Sequence, residues 1–410
     1  MRTLWIVSGG TEAVPGIRRA KEMGLHVVVS DMNPKAPGMA VADDGVVAST
    51  YDVEATVAAA QEYHRTVRPI DGVMCIASDV PLTVASVAEA LGLPGIPVKS
   101  ARLATDKLAM KRRFVADGVP VPWFSPVESV AHLRQIVAEQ GYPLVLKPVD
   151  SRGARGVLRL TTDVDLDWAF RHALKFSPGS HVMVEEYLPG PQISTESLLL
   201  DGTGYTPGFI DRNYEHLERF APYFIEDGGQ QPSILNDDDH NAVCELAEQA
   251  GRALGITTGI AKGDMVLTTQ GPKVIEIAAR LSGGWMCTDQ IPLATGVDLV
   301  GAAIRIALGE QPEARDLVPQ FHRGVAIRYF FPTPGRVVAI RNIDRFDDVP
   351  WIHRLGFFVG PGDVVEPVTN HTKRAGFVIT TGETRGEAIE HALQVMETVK
   401  IETAPVRQRR

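Results

Sequence analysis

The sequence predicts a multidomain α/β and α+β protein, with a parallel α/β domain first and antiparallel α+β modules after it. Three observations predict this. Apolar strand runs alternate with helical runs over residues 1–95, and strands separated by helices of that length imply a parallel sheet. Beyond that point strand runs come in pairs joined by Gly-rich turns, the pattern of antiparallel hairpins. The chain has 410 residues, more than the roughly 250–300 at which single cores stop growing, so two or three domains are expected.

The elements follow in order. "TLWIVSG" is an apolar strand, "AVPGIRRAKEMG" a helix ending at Gly24, and "LHVVVSD" a second buried strand ending at Asp31. "VEATVAAAQEYHRTV" is helical, "DGVMCIA" a strand and "PLTVASVAEALG" helical again. Ser8, Gly9, Gly10, Asp31, Ser78 and Asp79 collect at the C-terminal ends of these strands, the edge where open α/β sheets place ligands. "LGLPGIPVKS" is a Pro- and Gly-rich boundary, and "TDKLAMKRRFVADG" a helix capped by Thr105 or Asp106 and stopped by Gly118. From "YPLVLKPV" to "SHVMVEEYLPG" strands and a helix alternate. "STESLLLDGTGYTPGFIDRNY" is a hairpin turning at "DGTG", "DDDHNAVCELAEQAGRALG" a helix with an acidic start, and "KGDMVLTTQGPKVIEIAAR" a second hairpin. Residues from about 311 onward form a smaller α+β module.

Composition narrows the function classes. A net charge of −9 argues against broad binding to nucleic acid or anionic membrane, both of which want a basic surface. The basic tail "APVRQRR" is taken as a solvated terminus. Cys75, Cys244 and Cys287 are far apart, with neither zinc spacing nor a disulfide framework, which suits a reducing, cytoplasmic setting. No apolar stretch approaches the ~18 residues of a membrane span.

The second hairpin is the most informative segment. With a turn near Gln270, Val266 faces Val274 and Asp264 faces Glu276. Side chains alternate across a strand, so Lys262, Asp264 and Val266 share a face with Val274, Glu276, Ala278 and Arg280. Facing carboxylates repel unless a cation sits between them. Mg²⁺ takes one or two carboxylates plus substrate phosphates, so two acids suffice. The competing reading, a solvated hairpin, fits poorly with strands this apolar.

Lys147 ends the apolar strand "PLVLK", and "DSRGARGV" follows. Glycine loops let backbone N–H groups approach phosphate oxygens, and Arg152 and Arg155 could add charge-assisted contacts. The loop lacks the Gly-Lys-Ser/Thr ending of a P-loop. Taken alone, an anion site and a lysine snorkelling from a strand end are equally good readings.

Taken together and in this order, the pieces resemble the ATP-grasp superfamily. "DKLAMKRRFVADGVPVP" looks like the segment with the first nucleotide lysine, Lys107, and "GYPLVLKPVDSRGARGV" like the strand with the second, Lys147, and its glycine lid. "VMVEEYLPGPQISTESLLLDG" is similar to the adenine hinge and "MVLTTQGPKVIEIAARLSGG" to the metal hairpin. The resemblance implies an ATP-grasp fold preceded by a Rossmann-like pre-ATP-grasp domain. It divides the chain into 1–95, an ATP-grasp domain over 96–310 with a lid lobe at about 112–190, and a C-terminal α+β subdomain over 311–410 that completes the grasp.

The same resemblance implies the chemistry. ATP and Mg²⁺ (or Mn²⁺) would be bound, and a carboxylate would become an acyl phosphate that an amine displaces. Lys107, Lys147, Arg152, Gly153, Arg155 and Gly156 would meet the phosphates, and Glu185, Glu186 and Leu188 the adenine. Gln192 stands where relatives often carry a ribose-binding Glu. Asp264 and Glu276 would be metal ligands, while Ala278 replaces an Asn that many members carry as a further ligand. "E-x-A-A-R" resembles the L-amino-acid ligases, in which Arg280 with Ser282, Gly283 and Gly284 would hold the reacting carboxylate. "DGGQQPSIL" looks like their substrate loop, with Gln230 or Gln231 where relatives often have His. Lys147 and Arg280 are the candidate catalytic groups. Small carboxylates and amines are the implied partners, with a homodimer compatible and neither nucleic acid nor membrane expected. Bicarbonate activation, as in the biotin carboxylase and carbamoyl-phosphate synthetase branches, and a non-catalytic nucleotide binder are the alternatives; the intact lysines, acids and Arg280 argue against the binder.

Other residues weigh less. The first glycine turn, "SGGTEAVPG", lacks Rossmann spacing and reads as a strand-to-helix turn on the substrate side. His216 reads as a surface histidine and Cys287 as a small buried residue. Trp285 suits a pocket wall or a core anchor equally.

Overall fold

The computed structural model describes residues 1–406; Arg407 to Arg410 of the basic tail lie outside the described residues. The chain forms two compact units, each from three separate segments. The first comprises Met1–Val121, Ile193–Phe209 and Leu235–Phe321, and the second Pro122–Gln192, Ile210–Ile234 and the chain from His322 onward.

The first unit opens with a parallel sheet in the order Asp44–Val47, His26–Asp31, Thr3–Val7, Gly72–Met74. The run "TLWIV" is buried at every position, as expected for a central parallel strand covered on both faces. Helices Val53–Thr66 and Pro81–Leu91 pack Ala60, Tyr63, Val87 and Ala88 against Trp5, Val28 and Val73. The edge strand Asp44–Val47 escapes the sequence pattern because it is short and half exposed. Helix Val98–Thr105 likewise grows out of the boundary segment.

The same unit contains three hydrogen-bonded neighbours, Gly271–Ala278, Gly259–Thr268 and Gln192–Leu200. Helix Asp237–Ala253 packs Val243, Leu246 and Ala250 with Met110, Phe114, Leu199, Met265, Val274 and Ile277. The turn after Leu200 places Asp201 and Gly202 at φ 49° and 85°, the geometry that favours a tight hairpin.

The second unit has an antiparallel sheet in the order Phe124–Val127, Val182–Glu186, Leu144–Pro148, Leu158–Leu160. Helices Val130–Gln140 and Leu166–Lys175 close its core around Leu133, Leu146, Leu158, Ala169 and Val184. A second sheet runs from the end of Thr203–Asn213 through Gly228–Gln231, Gly324–Phe330 and Gly376–Gly382 to Ile352–Phe357. Helix Arg385–Thr398 buries Ala388, Ala392 and Val395 against it.

Candidate active site

In the first unit the hairpin forms as the alternation requires, with Asp264 directly opposite Glu276. The expected pairing of Val266 with Val274 is corrected. A bulge between Asp264 and Met265 pairs Met265 with Val274 and Val266 with Lys273. The extra residue is Ile275, on the Gly271–Ala278 strand, and Met265 and Val266 beside it are both buried, at 1% and 3% exposure.

The two acids are not left to repel. Lys262 pairs with Asp264, and Ser194 Oγ donates to Asp264 Oδ1 at 2.6 Å. Lys107 Nζ lies 3.4 Å from Glu276 Oε2. Lys107 is the first residue of helix Lys107–Ala116, whose cap is Asp106, accepting from Ala109 N at 2.8 Å. Gly118 stops that helix region at φ 70°. Among the described residues no group of three or more His, Cys, Asp or Glu could hold a metal ion. A pair of carboxylates fits the donor set of a hard cation such as Mg²⁺, which takes its other oxygens from phosphate and water.

The segment after Glu276 is gripped by three carboxylates. Arg280 Nε donates to Asp79 at 2.6 Å and Nη1 to the Leu281 carbonyl at 3.2 Å. Burial works against the Arg280 charge, but Asp79 and then Glu196 outweigh it and raise its pKa. Ser282 donates to Glu196 through its backbone N, at 3.0 Å, and through its hydroxyl. Gly284 N donates to Glu12 at 2.7 Å. Leu281 also bridges Ile76 in parallel, and Ala77 N donates to its carbonyl at 3.2 Å. Substrate-candidate residues Arg280, Ser282, Gly283 and Gly284 thus stand against the C-terminal edge of the first sheet, with the "SGGTE" turn supplying Glu12.

Glu196 escaped the sequence reading. It is fully buried, and burial pushes its carboxyl up to about 7 although Ser282, Arg280 and Lys262 pull it down. A lone acid inside the apolar strand "QISTESLLL" was the available signal, since a buried acid must have partners. Trp285 is 2% exposed and so is a core anchor. Cys287 donates to the Ser282 carbonyl at 3.0 Å, and burial pushes its thiol up, leaving it unreactive.

In the second unit Lys147 and Glu185 meet diagonally across neighbouring strands, where Lys147 is opposite Met183 and Glu185 opposite Val145, with Nζ to Oε1 at 2.5 Å and both side chains buried. Glu186 N donates to the Trp123 carbonyl at 2.9 Å, and Leu188 is buried just beyond. The glycine loop folds on itself: Arg155 N and Nε both donate to the Arg152 carbonyl, at 3.3 and 3.0 Å. Gly153, Ala154 and Gly156 take positive φ. Asp150, at the base of the loop, accepts from Ser177 Oγ and Gly179 N, each at 2.6 Å. Gln192 begins the strand that leads out of this unit.

"GGQQ" is a buried strand here, Gly228–Gln231, flanked by Thr203–Asn213 and Gly324–Phe330, with Asp227 just before it. Asp227 accepts from His216 N at 2.8 Å and from Asn213, so it secures the turn carrying His216, whose ring is exposed. Beside it, burial opposes ionisation of Glu226, but Arg212, Arg374 and His371 prevail and hold it down at about 2.

These arrangements define a class. Residues 104–284 match the family model of the ATP-grasp domain, 17–95 that of the ATP-grasp N-terminal domain, and 328–404 that of the L-amino acid ligase C-terminal domain 2. The chain thus carries an ATP-grasp N-terminal domain followed by an ATP-grasp domain, as the order of its motifs implied. In sequence it is similar to the uncharacterized protein y4rH of Sinorhizobium fredii, 27% identical across 97% of this chain and 81% of that protein. It is also similar to D-alanine–D-alanine ligase of Gloeobacter violaceus, 33% identical over 46% of this chain and 63% of that enzyme, so it spans under two thirds of that relative's length. In fold it is similar to the crystal structure of L-amino acid ligase from Bacillus licheniformis, with a TM-score of 0.82 and 21% identity over 98% of this chain and 99% of that one. Among the described residues no helix is long and apolar enough to cross a membrane.

Proposed function

We propose that this chain is an ATP-dependent ligase that activates a carboxylate as an acyl phosphate and joins it to an amine, releasing ADP and phosphate. The observation that carries the reading is the hairpin: Asp264 opposite Glu276, a lysine at each, and Arg280 four residues on, held by Asp79. A pure nucleotide binder has no use for an arginine so oriented beside a metal pair.

Each residue set then has a role. Lys107 and Lys147 neutralise the phosphates. Arg152, Gly153, Arg155 and Gly156 cover them and exclude water, which matters because acyl phosphates hydrolyse readily. Glu185, Glu186 and Leu188 hold adenine, largely through backbone groups, and Gln192 the ribose. Asp264 and Glu276 hold Mg²⁺ or Mn²⁺, whose charge offsets that of the polyphosphate. Arg280, fixed by Asp79 at Nε and by the Leu281 carbonyl at Nη1, orients the substrate carboxylate, with Ser282, Gly283 and Gly284 beside it. The carboxylate oxygen attacks the γ-phosphorus and the bond to ADP breaks. The amine nitrogen then attacks the acyl carbon, the bond to phosphate breaks, and the amine loses a proton. Positioning and charge neutralisation suffice, so no protein nucleophile is required.

The test is phosphate release from ATP with pooled carboxylates and amines, alongside a bicarbonate-only arm. Release that needs both an acid and an amine supports ligation. Release with bicarbonate alone replaces it with a carboxylase, and no stimulated release in any arm removes the enzyme reading.

A further inference from the structure

In the second unit the segment 214–227, between strands Thr203–Asn213 and Gly228–Gln231, is fastened at two places. The first is the lid sheet. Leu158–Leu160 is the edge strand of that sheet. Tyr223 bridges Leu158 antiparallel, and Arg159 N donates to the Pro222 carbonyl at 2.7 Å. The Tyr223 ring packs on the lid core, 5.7 Å from the His172 ring and 6.4 Å from that of Trp168. Arg159 also grips Glu218 with both terminal nitrogens, each at 2.7 Å. The second is the sheet that contains Gly228–Gln231. His216 N donates to Asp227 at 2.8 Å, Asp227 N to the Asn213 carbonyl at 3.0 Å, and Tyr329 N to the Asp227 carbonyl at 3.1 Å. The Phe220 and Phe331 rings lie 4.9 Å apart, and Arg219 donates to the Phe331 carbonyl at 3.1 Å. The glycine loop has a separate tie. Its Gly153 carbonyl accepts from His371 N at 3.2 Å, and His371 Nε2 accepts from Glu226 N at 3.4 Å.

We propose that residues 214–227 are a strap through which the lid sets the segment entering strand Gly228–Gln231, with Tyr223 and Glu218 as its positioning residues. The proposal rests on the ATP reading above and adds an order of events to it: nucleotide held under the glycine loop fixes the segment that leads into the candidate substrate strand. An N–H···O bond tolerates little stretching, so a lid edge strand that shifts must carry residues 222 and 223 with it or release them. Release would leave the Arg159 N–H without its acceptor and uncover the Tyr223 ring. The exposed Arg159–Glu218 pair adds direction more than energy, because its geometry is bidentate but solvent screens it. Strand Gly228–Gln231 is paired on both sides, so the strap is the part that gives. A lid movement therefore arrives at Phe220 and at the turn carrying His216, both next to that strand.

The test is hydrogen–deuterium exchange of the full chain with and without the β,γ-imido analogue of ATP and Mg²⁺, read by mass spectrometry. In the parent the analogue is expected to slow exchange in 150–160 and in 214–223 together, each by about fivefold or more. E218A/Y223A should keep the slowing in 150–160 and lose it in 214–223. Y223F, which retains the ring, should behave as the parent does. Where the double variant fails to fold, E218A alone carries the test, since the Glu218 side chain is 79% exposed. It should cut the slowing in 214–223 by about half or more. A parent that binds the analogue without slowing in 214–223 overturns the strap and leaves the ATP reading intact, as does slowing there that survives undiminished in the variants. A parent that binds no analogue removes the ATP reading and the strap with it.

Discussion

Two buried glutamates show how neighbours, not residue type, set behaviour. Burial pushes Glu196 up to about 7, so between pH 4.5 and 7 the folded chain holds a proton that the unfolded chain has lost. Its contribution to stability is therefore full below pH 4.5 and is lost as pH rises through 7. E196Q removes that dependence. Relative to the parent, it should be more stable at pH 8 than at pH 5 by up to about 3 kcal/mol, measured by urea unfolding at both pH values. Glu226 has the opposite sign. Burial opposes its charge, yet Arg212 and Arg374 hold it down at about 2, so its contribution is present above pH 4.5 and lost as pH falls through 2. E226Q should cost about 3 kcal/mol at pH 7, and the penalty should shrink steadily below pH 4.5. If both variants track the parent's pH profile, the burial and pairing described for these carboxyls are wrong. Neither sign was legible in sequence: "STESLLL" and "FIEDGG" reveal acids in apolar company, but not which acid meets arginine.

At the scale of elements, the hairpin was legible because alternation alone puts Asp264 and Glu276 on one face. The bulge beside them was not, since a shift of one residue is fixed by which apolar side chains the core helix receives. The glycine loop was legible only as a loop, and its two glycines differ in a way that sequence hides. A Cβ on Gly153 would meet nothing closer than Thr372 at 4.0 Å, whereas one on Gly156 would lie 2.8 Å from Pro148 Cγ and 3.1 Å from Phe176 Cβ. Both take positive φ. G153A should therefore cost only the backbone strain, about 1 kcal/mol, while G156A adds crowding and should cost about 2–4 kcal/mol. Thermal unfolding of the two variants checks this, and equal losses would show that the Gly156 contact is not tight.

For the whole molecule, local pattern indicates which strands exist, but not that each compact unit is assembled from three separated segments. Those pairings depend on surfaces far apart in the chain, and the first sheet illustrates the consequence. Its residues have the periodicity of an independent α/β domain, yet it is built into the rest of the first unit. Gly72 packs so closely that an added Cβ would lie 2.7 Å from the Ala307 carbonyl oxygen, and one on Gly16 would come into ordinary contact with Val300, at 3.4 Å. Helix Leu299–Ala307 is buried at Leu299, Val300, Ala302, Ala303, Ile304 and Ala307. Leu281 bridges Ile76, and Arg280 and Gly284 depend on Asp79 and Glu12. Removing residues 1–95 would uncover part of that helix at roughly 1.5–3 kcal/mol per large side chain. It would also leave Arg280 without the partner that fixes it. Against a total stability of about 5–15 kcal/mol, losing a few such contacts is decisive. The fragment 96–410 should therefore lack a cooperative thermal transition followed by near-ultraviolet circular dichroism, and co-expression of 1–95 should restore it. A cooperative transition in the fragment alone would mean that the first sheet is an appended module, and that the carboxylates it lends to the 280–284 segment are incidental to how that segment is held.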